Sequence, residues 1–392
     1  MAFVTRDGWK EEPVSITGAE YVEPSASVPL RPGQRVSHLF PRSVMEEYVL
    51  QRLTPRTYWV SRHFYGSLFY VGERGVLLFD PPQGAADSLL KAIGSVTPLP
   101  VTALCYSHFH ADHIGGARHL VASLGAAPRV IASEHTAAWM SRFGSDLPLA
   151  TDILPWPDGS TSFEDIPVQL RGLPRPGHSP DHAVFLLPSE RVGHSSDLIN
   201  IDQLPFGGFA GQDPLVLFKP NLEFAASLDF DWFCGGHGNI GEHSDFSFYI
   251  SYLDEMAALI SEEVPRPSVV PDLYLTDYLD SLSSDDRTRL LTELDNHFSF
   301  YLHGRDIVGR LAPDADAGVG VGAGAGAQGP GALMGGLVGE WTTERQQAVD
   351  SAVPRILERL RPKYGRMYNF DDAQPINIRL LAMSMQPSLS NR

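Results

Sequence analysis

The sequence predicts a layered α/β fold. Apolar strand-like runs alternate with stretches of helical spacing between Tyr58 and Glu263, and several of those runs lead straight into loops that carry His and Asp. The same rhythm occurs in both halves of this region, which suggests two similar layers packed face to face.

Residues 1–57 are rich in Pro, Ser and charge, with weak periodicity, and read as an N-terminal arm that wraps the main domain. From Tyr58 the segments YWVSRHFYGSLFYVG and GVLLFDPP are β-rich, and Glu73-Arg74-Gly75 between them reads as a hairpin turn. AADSLLKAIGSV has helical spacing. LPVTALCYS is apolar almost without alternation, as a strand covered on both faces would be. GGARHLVASLG then reads as a helix and PRVIAS as another strand. In the second half PVQLRGLPRPGHS, HAVFLLPSERVGHSSDLI and LDFDWFCGGHG read as strand-and-loop segments, with LVLFKPNLEFAASL as a helix between the last two. Tyr249–Glu263 places Leu, Met and Ile on one helical face.

These readings set the main domain at 58–263. Residues 264–314 read as a helical extension. Residues 315–339 are Gly/Ala low complexity, with too few packing groups to offset ordering entropy, and are expected to be a linker. Residues 340–392 form a C-terminal helical segment: TTERQQAVDSAVPRILERL, then a short apolar segment, INIRLLAMSM. This tail either packs back on the core or mediates an oligomer.

The formal net charge is −17. Such a field repels nucleic acid and anionic membrane, and no basic patch offsets it, so a small-molecule substrate is the expected partner, with a homo-oligomer left open. The start, MAFVTRDGWKEEP, has no apolar run after its charges, and no stretch reaches the roughly 18 apolar residues of a spanning helix. A cytoplasmic location is expected. The two cysteines, Cys105 and Cys234, sit in apolar runs and read as core residues, not thiolate ligands.

Chemistry concentrates in Ser107-His108-Phe109-His110-Ala111-Asp112-His113-Ile114-Gly115-Gly116. Three His and one Asp within six residues, between a strand and a helix, can turn imidazoles and a carboxylate inward together. Borderline-soft divalent ions such as Zn²⁺ accept that set. Gly115-Gly116 is expected to let the backbone turn into the helix without a Cβ clash. Further on come Gly177-His178-Ser179-Pro180-Asp181-His182, Ser195-Ser196-Asp197-Leu198 and Cys234-Gly235-Gly236-His237-Gly238. Each is a weak signal alone; in this order, with strands leading into them, they form one pattern.

In that pattern the sequence resembles the metallo-β-lactamase-fold hydrolase superfamily over roughly residues 58–260. HFHADH matches its His-x-His-x-Asp-His signature, Asp80 at the end of GVLLFD matches the Asp closing the preceding strand, and PGHSPDH, SSD and GGHG match the later metal-binding loops. The resemblance implies a four-layer αββα sandwich with the helical C-terminal extension added. It implies two divalent metal ions, with zinc expected and iron or manganese as alternatives. One ion would be held by His108, His110 and His178, the other by Asp112, His113 and His237, with Asp197 bridging. Asp80 would orient a ligand or its loop. Asp197 stands where true zinc β-lactamases commonly carry Cys, as in lactonases and glyoxalase II-type thioesterases.

The activity implied is hydrolysis of a carboxylic ester, lactone, thioester, amide or lactam with an apolar portion, by a hydroxide shared between the ions, with Asp112 or Asp197 taking the proton. The alternatives are a mononuclear iron oxidative enzyme of persulfide dioxygenase type and a β-lactamase proper. His182 is weighed as a neighbour of the ligands, Asn221 as a cleft residue, and Asp181 as a loop or helix cap. His119, His135 and His194 are not expected to be ligands. Leu204-Pro205-Phe206-Gly207-Gly208-Phe209, with Trp59, Phe64 and Tyr65, is expected to form an aromatic rim for substrate.

Overall fold

The computed structural model describes residues 14–264 and 343–385. The expected helical extension over 264–314 and the Gly/Ala linker over 315–339 lie outside the described residues, apart from Val264.

Within the arm, β1 (Glu20–Val22) and β2 (Gln34–Val36) pair in parallel, and α1 (Leu39–Met45) follows. The arm is anchored by charge. Arg35 is fully buried and donates to Asp245 Oδ2 at 2.7 Å, while Tyr21 donates to Asp202. Sheet structure starts ahead of Tyr58, because Val49 to Arg52 supply an edge strand.

That strand, β3 (Val49–Arg52), opens a seven-stranded sheet. It continues in spatial order through β4 (Thr57–Arg62), β5 (Tyr65–Val71), β6 (Val76–Phe79), β7 (Val101–Cys105), β8 (Arg129–Ser133) and β9 (Asp152–Leu154). Pairing is antiparallel up to β6 and parallel beyond it. The switch requires crossovers, supplied by α2 (Ala86–Val96), by α3 (Ala111–Ile114) with α4 (Ala117–Ser123), and by α5 (Glu134–Arg142). The Glu73-Arg74-Gly75 turn closes the β5–β6 hairpin, and Glu164 caps it by accepting from the Arg74 amide at 3.0 Å.

The second sheet runs β10 (Asp158–Phe163), β11 (Ile166–Gly172), β12 (Ala183–Leu187), β13 (Val192–His194), β14 (Trp232–Cys234) and β15 (Ile240–Gly241), antiparallel except for β13–β14. α6 (Lys219–Ala226) bridges the parallel pair, and α7 (His243–Glu263) follows β15. α7 starts six residues before the apolar periodicity read from Tyr249. A reciprocal cap sets that start: Glu242 accepts from the Asp245 backbone, and the Asp245 side chain accepts from Glu242 N.

Alternation along the strands decides the layering. On β5 and β6 the side chains of Leu68, Tyr70, Leu77 and Phe79 enter the space between the sheets, where they meet Leu170, Phe185 and Val192. Their neighbours Phe69, Val76 and Leu78 point outward onto Leu89, Ile93, Leu120 and Met140 of the helices. On the far side Val184, Leu186 and Phe233 pack against Leu222, Phe246 and Leu253. The result is the expected αββα sandwich. Each fully enclosed Leu or Phe contributes on the order of 1.5–3 kcal/mol relative to exposure.

The C-terminal segment folds as two helices, α8 (Thr343–Tyr364) and α9 (Phe370–Ser384). INIRLLAMSM is therefore helical and begins inside α9. The hairpin packs back on the domain: Val349, Val353, Ile356, Ile378 and Leu381 cluster with Met256 and Ile260 of α7. Among the described residues no helix is long and apolar enough to cross a membrane.

Candidate metal centre

Every loop bearing the singled-out His and Asp leaves the same end of the two inner sheets. β7 is clamped on both sides, and at its end Cys105 stays in the inter-sheet core, as does Cys234 at the end of β14. Beyond Cys105 the chain turns through His108 and His110 into α3, which carries Asp112 and His113. Gly116 is needed for proximity, not for an unusual backbone angle. Its φ of −66° suits any residue, but a Cβ there would lie 2.3 Å from the Pro82 carbonyl.

The side chains converge on Asp197. His113 Nε2 lies 2.8 Å and His178 Nε2 3.1 Å from Asp197 Oδ2, His237 Nε2 lies 3.1 Å from Oδ1, and His108 Nε2 stands 3.8 Å from Oδ2. Two groups of potential ligands result, His108-His110-His178-Asp197 and Asp112-His113-Asp197-His237, and Asp197 belongs to both. Within each group one ligand atom per residue lies within 4.8 Å of the others.

Several imidazoles are aimed by the nitrogen that faces away from Asp197. His178 Nδ1 meets the Ala210 carbonyl at 2.9 Å, and His237 Nδ1 meets the Phe64 carbonyl at 3.1 Å. A carbonyl only accepts, so each Nδ1 carries a proton, and Nε2 is the nitrogen turned toward Asp197 and the centre. His237 is further fixed by strand-like pairing between Tyr65 and His237 and by the Gly66 amide donating to Gly236 O at 2.8 Å.

Asp80 sits beneath the centre and is fully buried. It accepts from the Ser107 amide at 2.8 Å, from Ser196 Oγ at 2.7 Å and from the Ser107 hydroxyl, and it faces His194 Nε2 at 2.8 Å. Ser107 precedes His108 and Ser196 precedes Asp197, so one carboxylate gathers both ligand loops. His182 works from the other side, with Nε2 meeting the Ser196 carbonyl at 2.7 Å and Ser195 Oγ at 3.1 Å.

Burial and charge divide the histidines. Desolvation, then the neighbouring rings, keep His108 and His110 well below the usual imidazole range, and burial pushes His182 down to about 3. Burial also opposes protonation of His113, but Asp197 and Asp112 outweigh it and hold His113 up to about 9. Asp197, despite burial, is held well below the carboxylate range by His113, His178 and His237.

The backbone around the centre is strained. Asp80 and Asp197 adopt φ of 37° and 65°, and Phe209 and Ala210 adopt 49° and 53°. Left-handed non-glycine residues cost on the order of 1–3 kcal/mol each and persist where the surroundings over-determine them.

Other expectations fare differently. Trp59 is not on a rim: it is fully buried in the inter-sheet core. Phe64, Tyr65 and Phe206 are half-buried beside the site, with the Phe206 ring 5.5 Å from that of His237. Asn221 does not serve the cleft, because its amide is spent on Arg175, accepting from its N at 3.1 Å and donating to its O at 2.7 Å. Asp181 is a buried loop residue that accepts from Ser179 Oγ at 2.8 Å. His119 faces Asp87 on the surface, and His135 stacks on Trp156. Tyr65 carries more than aromatic bulk. Its hydroxyl reaches Asp112 Oδ2 at 3.4 Å and its ring packs on His113 and His237. A Tyr in a β-run gives no hint of that, and the carbonyls of Ala210 and Phe64 carry no sequence signal at all.

Comparison with known proteins returns the same family. The family model of the metallo-β-lactamase superfamily matches residues 64–237, a span that contains all seven side chains of the two groups. Among solved structures the chain is similar to a metallo-β-lactamase from Pontibacter korlensis, at 20% identity over 53% of this chain and 99% of that one, with a TM-score of 0.45. It is also similar to the DIM-1 metallo-β-lactamase exposed to ceftazidime, at 15% identity over 52% and 95% of the two chains, with a TM-score of 0.43. No curated protein matches the chain significantly.

Proposed function

Because residues 64–237 are a metallo-β-lactamase superfamily domain, we propose that the chain is a two-metal hydrolase of small carbonyl substrates with an apolar portion. The observation that carries the reading is the sharing of Asp197 between two complete groups of buried His and Asp. A mononuclear oxidative enzyme needs one such group.

The donor set fits the ions. His108 Nε2 is buried without a hydrogen-bond partner, and so is Asp112 Oδ1. Leaving such atoms unsatisfied costs on the order of 1–3 kcal/mol each, a penalty that a cation among them removes. Imidazole nitrogens with carboxylate oxygens favour zinc, and the absence of thiolate leaves iron or manganese admissible. When bound, such ions supply Lewis acidity, which acidifies water and polarises a carbonyl oxygen.

The chain's own residues do the rest. Asp112 is about one-third exposed at 35%, whereas Asp197 is enclosed at 8%, so Asp112 is the carboxylate suited to take the water's proton and hand it on to the leaving group. Tyr65 steadies Asp112 by its hydroxyl. Asp197 keeps three imidazoles turned inward by its negative charge. As water adds to the carbonyl carbon, the proton it releases is delivered to the departing oxygen, sulfur or nitrogen. Phe64 and Phe206 offer apolar surface to the acyl portion and limit competing water.

The partner is part of the same reading: a small molecule as substrate, with nucleic acid and anionic membrane disfavoured by the charge of −17. The test is metal analysis of purified protein together with an ester, lactone, lactam and thioester panel. Two ions per chain, with hydrolysis that a chelator abolishes, support the reading. One iron per chain with oxygen consumption overturns it.

A further inference from the structure

The loop between Asp197 and α6 is held from outside the matched span. Asn377 on α9 is fully buried and grips the loop at two points, donating from Nδ2 to the Pro205 carbonyl at 3.1 Å and accepting at Oδ1 from the Gly208 amide at 2.9 Å. Gln374, one turn earlier, donates to the same Pro205 carbonyl at 3.1 Å and holds Asn377 Nδ2 at 3.2 Å. The flanks are pinned too. Leu204 N donates to the Tyr368 carbonyl at 3.2 Å, and Leu215 N donates to Ser384 Oγ at 3.3 Å.

What the clamp imposes is unusual backbone. From the residue at Asn377's second contact onward come four successive left-handed residues, Gly208, Phe209, Ala210 and Gly211, with φ of 77°, 49°, 53° and 81°. The middle two are not glycines, so the turn is not one the local sequence favours throughout. Its product is the direction of the Ala210 carbonyl, which accepts a hydrogen bond from the Nδ1–H of His178 and thereby points Nε2 at Asp197.

From this chain of contacts we infer that Asn377 is a positioning residue for the metal centre, acting through Pro205, Gly208 and the Ala210 carbonyl to set the tautomer and aim of His178. The inference rests on reading His178 as a metal ligand. It assigns the C-terminal hairpin a part in the site as well as in the core, although residues 265–342 separate it in sequence from the domain it completes. Partners that orient a metal-binding imidazole are worth 10–100-fold in affinity or activity when removed, so the effect is measurable.

The experiment titrates metal-free full-length protein with Zn²⁺ against a chromophoric chelator, for wild type, Asn377→Ala and His178→Ala. Circular dichroism confirms folding, and ¹⁵N imidazole NMR follows the Nδ1–H of His178. The expected result is that Asn377→Ala weakens one of two zinc sites by about tenfold or more, leaves the other intact and loses the hydrogen-bonded Nδ1–H signal. His178→Ala loses the same site. Should Asn377→Ala fail to fold, Asn377→Asp is read the same way, since it keeps the acceptor for Gly208 and loses the donor to Pro205. If His178→Ala loses a zinc while the Asn377 variant binds both as wild type does, the positioning role is overturned and the ligand reading stands. If His178→Ala retains both ions, the ligand reading fails and the inference with it. Loss of folding in both Asn377 variants also overturns it, because Asn377 would then be a pillar of the fold.

Discussion

The imidazole of His194 and the carboxylate of Asp80 meet at 2.8 Å, in a fully buried position directly behind the loops that carry His108 and Asp197. The pair joins the last residue of β13 to the residue after β6, and so ties one sheet to the other beneath the candidate centre.

This pair makes stability depend on pH in a definite sense. Burial opposes the charge on His194, but Asp80 outweighs it and holds His194 up to about 10, while His194 and the Ser107 hydrogen bonds hold Asp80 below its ordinary 3.8 despite burial. The His194 contribution is complete below the ordinary 6.5 and is lost as pH rises toward about 10. The Asp80 contribution is complete above 3.8 and is lost at more acid pH. Chemical denaturation of metal-free protein is expected to show the pair's full contribution between those limits. His194→Gln is expected to flatten the alkaline decline, and an unchanged slope contradicts the assignment.

Asp80→Asn leaves a buried His194 without its counter-charge and takes an acceptor from Ser107 and Ser196. Breaking a buried pair on one side costs about 3–5 kcal/mol. Urea denaturation is expected to register that loss, with metal content falling because both ligand loops lose their common anchor.

His110→Ala removes one of four potential ligands from the first group. Metal content should drop and turnover should fall together, by more than the roughly 10–100-fold typical of outer partners. Parallel metal analysis and kinetics check this, and unchanged values in both would show that the ligand assignment is wrong.

Tyr65→Phe deletes the hydroxyl on Asp112 and keeps the ring against His113 and His237. Activity is expected to fall about tenfold with little change in the melting temperature. A wild-type rate would show that the hydroxyl has no part in steadying Asp112.

Gly236→Ala tests the loop that presents His237. Its φ of 79° is left-handed, and a Cβ there would lie 2.6 Å from Ser196 Cβ, beside Asp197. Strain and overpacking together predict a loss on the order of 1–3 kcal/mol, with weaker metal retention. Thermal melts with and without added zinc separate the two effects.

What the sequence makes legible follows from how local each signal is. His108, His110, Asp112 and His113 are readable because six consecutive residues present them from one strand–helix junction. The layered fold is readable because β6 and β7 are buried on both faces and therefore lack polar alternation. The same feature hides Trp59, since a strand covered on both sides does not announce which side a given aromatic faces. The helical C-terminal segment is readable, but the bounds of α9 are not, because Pro375 stands inside the helix and interrupts the apolar periodicity. Asn377 and the Ala210 carbonyl are illegible for a stronger reason. Their roles arise from a contact between segments about 170 residues apart, and every residue carries a carbonyl.

The proposed function depends most on Asp197 being shared by two cations. Anomalous diffraction from crystals of zinc-loaded protein measures this directly. Two peaks are expected, one among His108, His110 and His178 and one among Asp112, His113 and His237, each in contact with Asp197. A single peak in only one group, or none in either, contradicts it.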